Sequence, residues 1–276
     1  MMAKITTLTQ TDSVAQNPIK TPIWDRIDHR IMVLVSLCLG FLVWVLLSQI
    51  KEVGVILVSP FKIYKTLMAE AASSRLYVNV TASLFRVLSG FALAFLAAVP
   101  VAFLMGWYKL IRGLVEPWIQ FFRTIPPIAL IPLVIVAQGI GEGAKITVIF
   151  ICTFLVMVIT IFQGVCSIDT TMLKAARVLG ANDRNIFFNV VVPASTPYIM
   201  VALRLGISTG MTTLVAAEMT GATKGLGNMI QEAGLYFRMD LVILGILIIG
   251  IIGFILDKLL LFLEKKITGW QDVRRS

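Results

Sequence analysis

Charged side chains are scarce in this chain: Asp, Glu, Lys and Arg make up only 14% of its 276 residues. Soluble globular domains contain about 25% charged residues. The chain is instead 58% hydrophobic, and its apolar residues gather in runs of about 20, long enough to cross a hydrocarbon core of ~30 Å. The composition therefore excludes a soluble domain and predicts an all-α polytopic membrane protein.

Residues for catalysis and metal binding are also few. His29 is the only histidine, and it lies near the N-terminus. The stretch GISTG at 206–210 matches the G-x-S-x-G nucleophile pattern, but it lies inside an apolar run instead of a strand-to-helix turn. We expect no catalytic residue there, and we expect its glycines to allow close helix packing. Cys38, Cys152 and Cys166 lack metal-ligand spacing, so no metal site is expected.

The sequence contains no G-x-x-x-x-G-K-[ST] phosphate loop. The stretches GEGAKIT and GATKGLG lack the Gly-Lys-Ser/Thr ending. We therefore expect this chain to bind no nucleotide cofactor by that route.

Six apolar runs are predicted to span the membrane. They cover residues 31–50, 83–107, 118–137, 146–165, 199–219 and 241–263. Together they form a transmembrane domain over 31–265, between tails at 1–30 and 266–276. Pro126, Pro127 and Pro132 interrupt the third run, and irregular backbone there should line a cavity or be covered by protein.

Lys and Arg are distributed unevenly between the loops on the two sides of these spans. One side holds thirteen and the other seven, with four more in the spans or at their ends. This bias predicts that both termini lie in the cytoplasm. The net charge of +9 then reflects topology and anionic lipid, so no nucleic-acid partner is expected.

The longest cytoplasmic loop, 166–198, has a helical pattern of its own. Asp169 or Thr170 can cap a short helix, and Gly180 ends it because glycine adopts left-handed dihedrals without penalty. Asn182 can cap a second short helix, and Pro193 is predicted to mark the turn into the fifth span. Such a hairpin either lies on the lipid surface or docks onto a protein.

The outer loop 51–82 is similarly long. Ser59 is a predicted N-cap and Pro60 a predicted first-turn residue of a short interfacial helix. Further along, Gly221, Gly225 and Gly227 predict a tight outer loop after the fifth span, which either gates a pathway, contacts a partner protein or is a plain connector.

Charged residues inside the spans usually face a protein interior or water. A stripe in the fifth span is spaced for one helix face, with Thr212 beside it: Arg204, Ser208, Met211, Val215 and Glu218. We interpret this stripe as lining a pathway. The alternative is that Arg204 extends to the interface and Glu218 meets water or pairs locally.

In the second span, Arg86 shares a face with Ser83. It could attract an anion or pair with a carboxylate, and the sequence leaves both open.

The stretch KAARVLG, with Pro193 thirteen residues after Gly180, resembles the EAA loop of ABC importer permeases. Three further stretches resemble the branch that serves nitrate, taurine, alkanesulfonates and related compounds: RTIPPIALIPLVIVAQGIGEGAK at 123–145, ALRLGIS at 202–208 and AAEMTGATKGLGNMIQEA at 216–233. The outer Ser-Pro at 59–60 agrees. The resemblance covers roughly residues 57 to 265.

The resemblance implies a type I importer fold with six transmembrane helices. It also implies a second permease subunit, forming a homodimer, two ATPase subunits that bind ATP and Mg²⁺, and an extracytoplasmic solute-binding protein. The ATPase-docking coupling helix would comprise Leu173, Lys174, Ala175, Ala176, Arg177, Leu179 and Gly180. Lys174 departs from the family's usual glutamate. The main alternative function is an ion-gradient-driven secondary transporter, which often shows internal repeats and acidic residues deep in a span.

Overall fold

A computed structural model describes residues 29–268 of the chain, with side chains over 31–267. The predicted N-terminal tail and the last eight residues of the C-terminal tail lie outside these described residues, except for His29 and Arg30. Twelve α-helices and one π-helical segment, but no strand, occur in the described range. The helices are α1 (His29–Leu47), α2 (Lys51–Gly54), α3 (Pro60–Ala72), α4 (Arg75–Trp107), α5 (Lys109–Phe122), α6 (Pro127–Gln138), α7 (Glu142–Cys166), α8 (Thr170–Val178), α9 (Asp183–Ile186), α10 (Val192–Met219), α11 (Leu226–Leu235) and α12 (Met239–Thr268). The π-helical segment is Phe187–Val191.

The all-α membrane architecture is confirmed, but not every predicted span is one long helix. By length and composition, four helices of the described chain can cross a membrane: α4, α7, the continuous helical stretch that ends with α10, and α12. Helices α5 and α6 together form a further candidate span, bent by 103°. Helix α1 is apolar but has only 19 residues. It ends at Leu47, three residues before the end of the first predicted span.

The predicted interruption of the third run is confirmed at Pro126 and Pro127, because the chain breaks between Phe122 and Pro127, whereas Pro132 lies inside α6. Pro126 and Pro127 cannot donate backbone hydrogen bonds, and a proline disfavours helical dihedrals in the residue before it. Pro127 instead begins α6, where its missing N–H costs nothing.

The core of the bundle lies where α7 packs between α4 and α10. Small residues allow this close approach. Ala94, Ala98 and Ala102 repeat every four residues along α4 and are fully buried. A Cβ at Gly206 would collide with Met157, and one at Gly210 would press on Val87 and Thr153. The prediction that GISTG serves helix packing is therefore confirmed.

Segment 166–198 differs from the prediction at its second half. The backbone continues from α9 through the π-helical segment into α10, so Pro193 lies in the first turn of α10 and makes no turn. Because Pro193 has no N–H, the regular hydrogen-bond ladder cannot pass through it, and the register changes immediately before it. The fifth span is thus the end of a much longer helical element.

Helix α3 packs against the start of α12. Thr66 Oγ1 donates to the Asp240 carboxylate at 3.0 Å. Pro60 begins α3 as predicted, whereas Ser59 occupies the N-cap position without a side-chain cap hydrogen bond.

Candidate functional site

Helix α8 has side-chain or backbone caps at both ends. At its start, the Asp169 carboxylate accepts from the Thr171 backbone N–H at 2.8 Å, which holds the pKa of Asp169 below its usual value. Beyond its end, the Asn182 side chain accepts from the Asn185 N–H at 2.8 Å and caps α9. Both predicted caps are confirmed, so local sequence alone defines these two starts.

The turn at Gly180 is a Schellman motif. Ala181 N–H donates to Ala176 C=O and Gly180 N–H donates to Arg177 C=O, both at 3.0 Å. Gly180 has a φ of +82°, and no heavy atom lies within 4 Å of the position that a Cβ would take. Glycine is therefore needed here for its backbone dihedrals and not for space.

The predicted docking residues divide between two sides of α8. Leu173 and Ala176 are half-buried and pack against the core of the same chain. Lys174, Ala175 and Arg177 are exposed. At the tip, Val178 is 87% and Leu179 86% exposed, although both are apolar. Ala176 thus packs within the chain, while the tip is uncovered.

A buried ion cluster lies at the opposite end of α4, α7 and α10 from α8. At its centre, Glu218 of α10 has a fully buried side chain. Its carboxylate accepts from Arg86 Nη1 at 2.6 Å, from Ser83 Oγ at 2.7 Å and from the Gly227 N–H at 2.8 Å. The N-terminus of α11 points at this carboxylate, where a helix dipole favours a negative charge.

Arg86 connects four separate parts of the chain. Its Nε and Nη2 donate to Glu142 on α7, and its Nη1 donates both to Glu218 and to the Lys224 carbonyl, the latter at 2.7 Å. Lys145 contributes a second cation, 3.3 Å from Glu142. The cluster balances two cations against two carboxylates, so Arg86 pairs with carboxylates and does not present a free charge.

Two glycines make this arrangement possible. A Cβ at Gly225 would overlap the Glu218 carboxylate and Arg86 Nη1, and its φ of +129° excludes most side chains as well. A Cβ at Gly227 would lie 2.9 Å from both Glu218 Cβ and the Val215 carbonyl. The predicted tight outer loop is therefore a close backbone wrap around Glu218.

The stripe predicted on the fifth span is not uniformly accessible. Ser208 and Thr212 are exposed and Arg204 is half-exposed, but Met211 and Glu218 are buried inside the chain. Arg204 Nε donates to Asp257 of α12 at 2.9 Å. The exposed face of α10 is therefore rotated relative to the predicted stripe, and Glu218 has the local pairing that was its alternative.

Comparison with known proteins identifies the family. A family described as the binding-protein-dependent transport system inner membrane component matches residues 90–269. The chain is also 45% identical over 239 residues to a probable ABC transporter permease protein of Brucella abortus (strain 2308), covering 87% of this chain and 95% of that protein. This chain belongs to that family. It is a permease subunit of an ABC importer, as the sequence resemblance implied.

Two further comparisons concern this permease. The taurine transport system permease protein of Escherichia coli (strain K12) is 37% identical over 195 residues, which is 71% of each chain. A solved structure of the MetNI methionine ABC transporter matches the fold with a TM-score of 0.61 at 20% identity. That match covers 70% of the permease and 95% of the solved chain.

Sequence reasoning missed Glu142 and Lys145 as members of the ion cluster. The available signal was the position of each residue along its span. Arg86 lies near the outer end of the second predicted span, and Glu142 precedes the fourth span by a few residues. Glu218 lies at the outer end of the fifth span. Residues at the same depth in adjacent spans can pair, but the sequence does not say which spans are adjacent.

Proposed function

We propose that the permease forms a homodimer in the inner membrane of a bacterium, with both termini in the cytoplasm. Two ATPase subunits bind below it and a solute-binding protein delivers substrate from outside. ATP and Mg²⁺ bind to the ATPase subunits, because this chain has no phosphate loop. Membrane lipid surrounds the assembly, and nucleic acid is no partner.

The single observation that carries this proposal is the exposed apolar tip of α8. Val178 and Leu179 project from a short helix whose exit is fixed by the Schellman turn at Gly180. An exposed apolar pair next to charged Lys174 and Arg177 is typical of a protein-docking surface. In the proposed assembly this tip enters a cleft of the ATPase, and α8 is the coupling helix.

Movement of α8 would reach the transport pathway through the Gly180 turn and the long helical element that follows it. The backbone is helical from α9 through the π-helical segment to the end of α10, which carries the exposed face with Ser208 and Thr212. ATP binding would close the ATPase pair, shift both coupling helices and open the permease outward. Release after hydrolysis would return it to the inward-open state.

The exposed face of α10 is the proposed pathway or dimer surface. Arg204 and Asp257 are each between one third and two fifths exposed in the single chain. Charged pairs inside membrane spans rarely face lipid, because burying charge in hydrocarbon is costly. Water or a second permease subunit would therefore cover this face.

The proposed substrate is a small anion or a sulfonate such as taurine. The Escherichia coli relative is named for taurine, and other relatives are named for aliphatic sulfonates, nitrate and bicarbonate. Because Arg86 is saturated by two carboxylates, we do not assign it to the substrate. Ion-gradient-driven transport, the alternative from the sequence, is set aside because this chain belongs to an ABC importer family.

We expect the isolated chain to show no ATPase activity and to copurify with a separate ATPase subunit. Leu179→Glu should remove most of the copurifying ATPase, because a buried unpaired charge would face the partner's cleft. Leu235→Glu is a matched control: Leu235 is 73% exposed at the opposite end of the bundle. Robust hydrolysis by the chain alone, or equal loss in both variants, would contradict the proposal.

Cysteines at Ser208 and Thr212 should react with small water-soluble thiol reagents in a background without native cysteines. We expect their rates to change at least several-fold between nucleotide-free and ATP-bound assemblies, since alternating access opens and closes the pathway. Thr213→Cys is the control, because Thr213 is fully buried beside the same face. Protection of both test positions in every state would show that the face meets lipid or a permanently packed helix.

A further inference from the structure

A cleft of about 390 Å³ lies between the end of α3, the start of α4 and helix α11. Its lining includes Ser74, Arg75, Asn79, Lys224, Glu232 and Tyr236. We call this the α3–α11 cleft. The cleft lies at the same end of the bundle as the ion cluster, because α4 begins at that end and α10 ends at it. Helix α7 runs from that end toward α8. In the proposed topology, the cleft faces outside.

Backbone strain is concentrated at this cleft. Among the residues that the structure describes, only two that are not glycine have a positive φ: Ser74 at 58° and Phe237 at 54°. Ser74 lines the cleft, and Phe237 lies between two residues that line it, Tyr236 and Arg238. Left-handed dihedrals cost a residue with a side chain about 1 kcal/mol or more, and such strain clusters at functional sites.

Phe237 shows the strain most clearly. Helix α11 ends in a Schellman motif, with Arg238 N–H donating to Ala233 C=O at 2.8 Å and Phe237 N–H donating to Gly234 C=O at 3.2 Å. Phe237 therefore occupies the position that Gly180 occupies after α8, where glycine is strongly preferred. Phe237 is 84% exposed, so packing within the chain does not offset the strain.

The chemistry around this ring fits a protein partner. Tyr236 beside it is 73% exposed. Four charged side chains line the cleft without forming an ion pair within the described residues: Glu70, Arg75, Lys224 and Glu232. Exposed aromatic rings surrounded by charges of both signs are typical of protein interfaces, where the aromatics anchor binding and the charges form the rim.

The cleft also connects to the buried ion cluster. Asn79 accepts from the Gly225 N–H at 3.0 Å, and the Lys224 carbonyl accepts from Arg86. A partner that seats on Lys224 therefore touches backbone that holds Arg86 and Glu218. Glu218 is on α10, whose other end continues into the segment that carries α8.

We propose that the α3–α11 cleft, with Phe237 as its apolar anchor, is the docking surface for the soluble solute-binding protein of this importer. This inference rests on the proposed function. The cleft would receive the partner, and docking would give an exposed phenylalanine a role at a position where glycine would fit better. Contact here would be transmitted through Lys224 and Gly225 to Arg86 and α10.

Phe237→Gly separates docking from stability. The assembled transporter, reconstituted with its ATPase, is titrated with purified cognate binding protein while ATP hydrolysis is measured. We expect the half-saturating concentration of binding protein to rise roughly 5- to 30-fold, the range of an interface anchor. The basal rate and the thermal midpoint should be unchanged or higher, because glycine relieves the strained φ. Phe237→Tyr should behave like the wild type.

Phe61→Ala is the matched control, since Phe61 is 72% exposed at the start of α3, whereas the cleft lies at the other end of that helix. An unchanged half-saturating concentration in Phe237→Gly would overturn the proposal. If that variant instead alters the thermal midpoint in a lipid-dependent way, the ring sits in the membrane interface and the docking proposal is wrong. A wild-type assembly that its binding protein does not stimulate would contradict the proposed function itself, and this surface with it.

Discussion

Arg86→Met is expected to abolish transport and to destabilise the permease by about 3–5 kcal/mol, the usual cost of removing one partner from a buried pair. The reason is Glu218, whose side chain is fully buried. Without Arg86 its carboxylate keeps hydrogen bonds from Ser83 and Gly227, but no cation balances its charge. Transport into proteoliposomes and the thermal unfolding midpoint of the purified permease measure the two effects.

A second substitution tests whether charge is the cause. Adding Glu218→Gln to Arg86→Met removes the buried charge but keeps a carbonyl oxygen for Ser83 and Gly227. The double variant should therefore recover part of the lost stability. Glu142 needs no compensation, because its side chain is 54% exposed and water can reach it.

Arg112→Met is the matched control for losing an arginine. Arg112 pairs with Glu116 at 2.9 Å, but its side chain is 50% exposed, and surface pairs contribute about 1 kcal/mol or less. We expect a small change in the thermal midpoint. If Arg86→Met were as mild as Arg112→Met, or if the double variant were worse than the single one, the cluster would not hold the helices together.

Gly180→Val is expected to abolish transport while the chain still inserts in the membrane. With φ at +82°, a β-branched residue costs at least about 1–2 kcal/mol in backbone strain. Helix α8 has no fully buried residue, so displacing it loses less packing than distorting the helices of the core. Unwinding the Schellman turn would relieve the strain and redirect Val178 and Leu179 away from the ATPase. ATPase copurification and transport rate measure the loss.

The Gly180→Asn variant distinguishes a requirement for left-handed backbone dihedrals from a requirement for free space at the Cβ position. Asparagine adopts left-handed dihedrals more readily than other residues with side chains, and nothing lies within 4 Å of the Cβ position. It should keep most of the transport that Gly180→Val loses. Equal loss in both variants would mean that a partner packs directly on Gly180, and intact transport in Gly180→Val would contradict the coupling-helix assignment.

Sequence by itself determined the features that depend on neighbouring residues or on composition. Sparse charge and long apolar runs gave the membrane class, since lipid excludes charge over about 20 residues. The sequence identifies Asp169 and Asn182 as caps and Gly180 as a helix end because each effect acts within one turn of backbone. The spacing of Gly206 and Gly210 likewise predicted close packing correctly.

Only the tertiary structure decided which helices meet and which faces they turn to one another. Arg86 and Glu218 are 132 residues apart, and helical periodicity places each on a face without naming the partner of that face. A rotation of α10 by about one residue position separates the predicted stripe from the observed one, and it moves Glu218 from a pathway into the core. The 103° bend between α5 and α6 arises the same way, because packing sets where a broken helix points. The positive φ of Phe237 is likewise visible only in the structure, since no local pattern predicts it at a residue other than glycine.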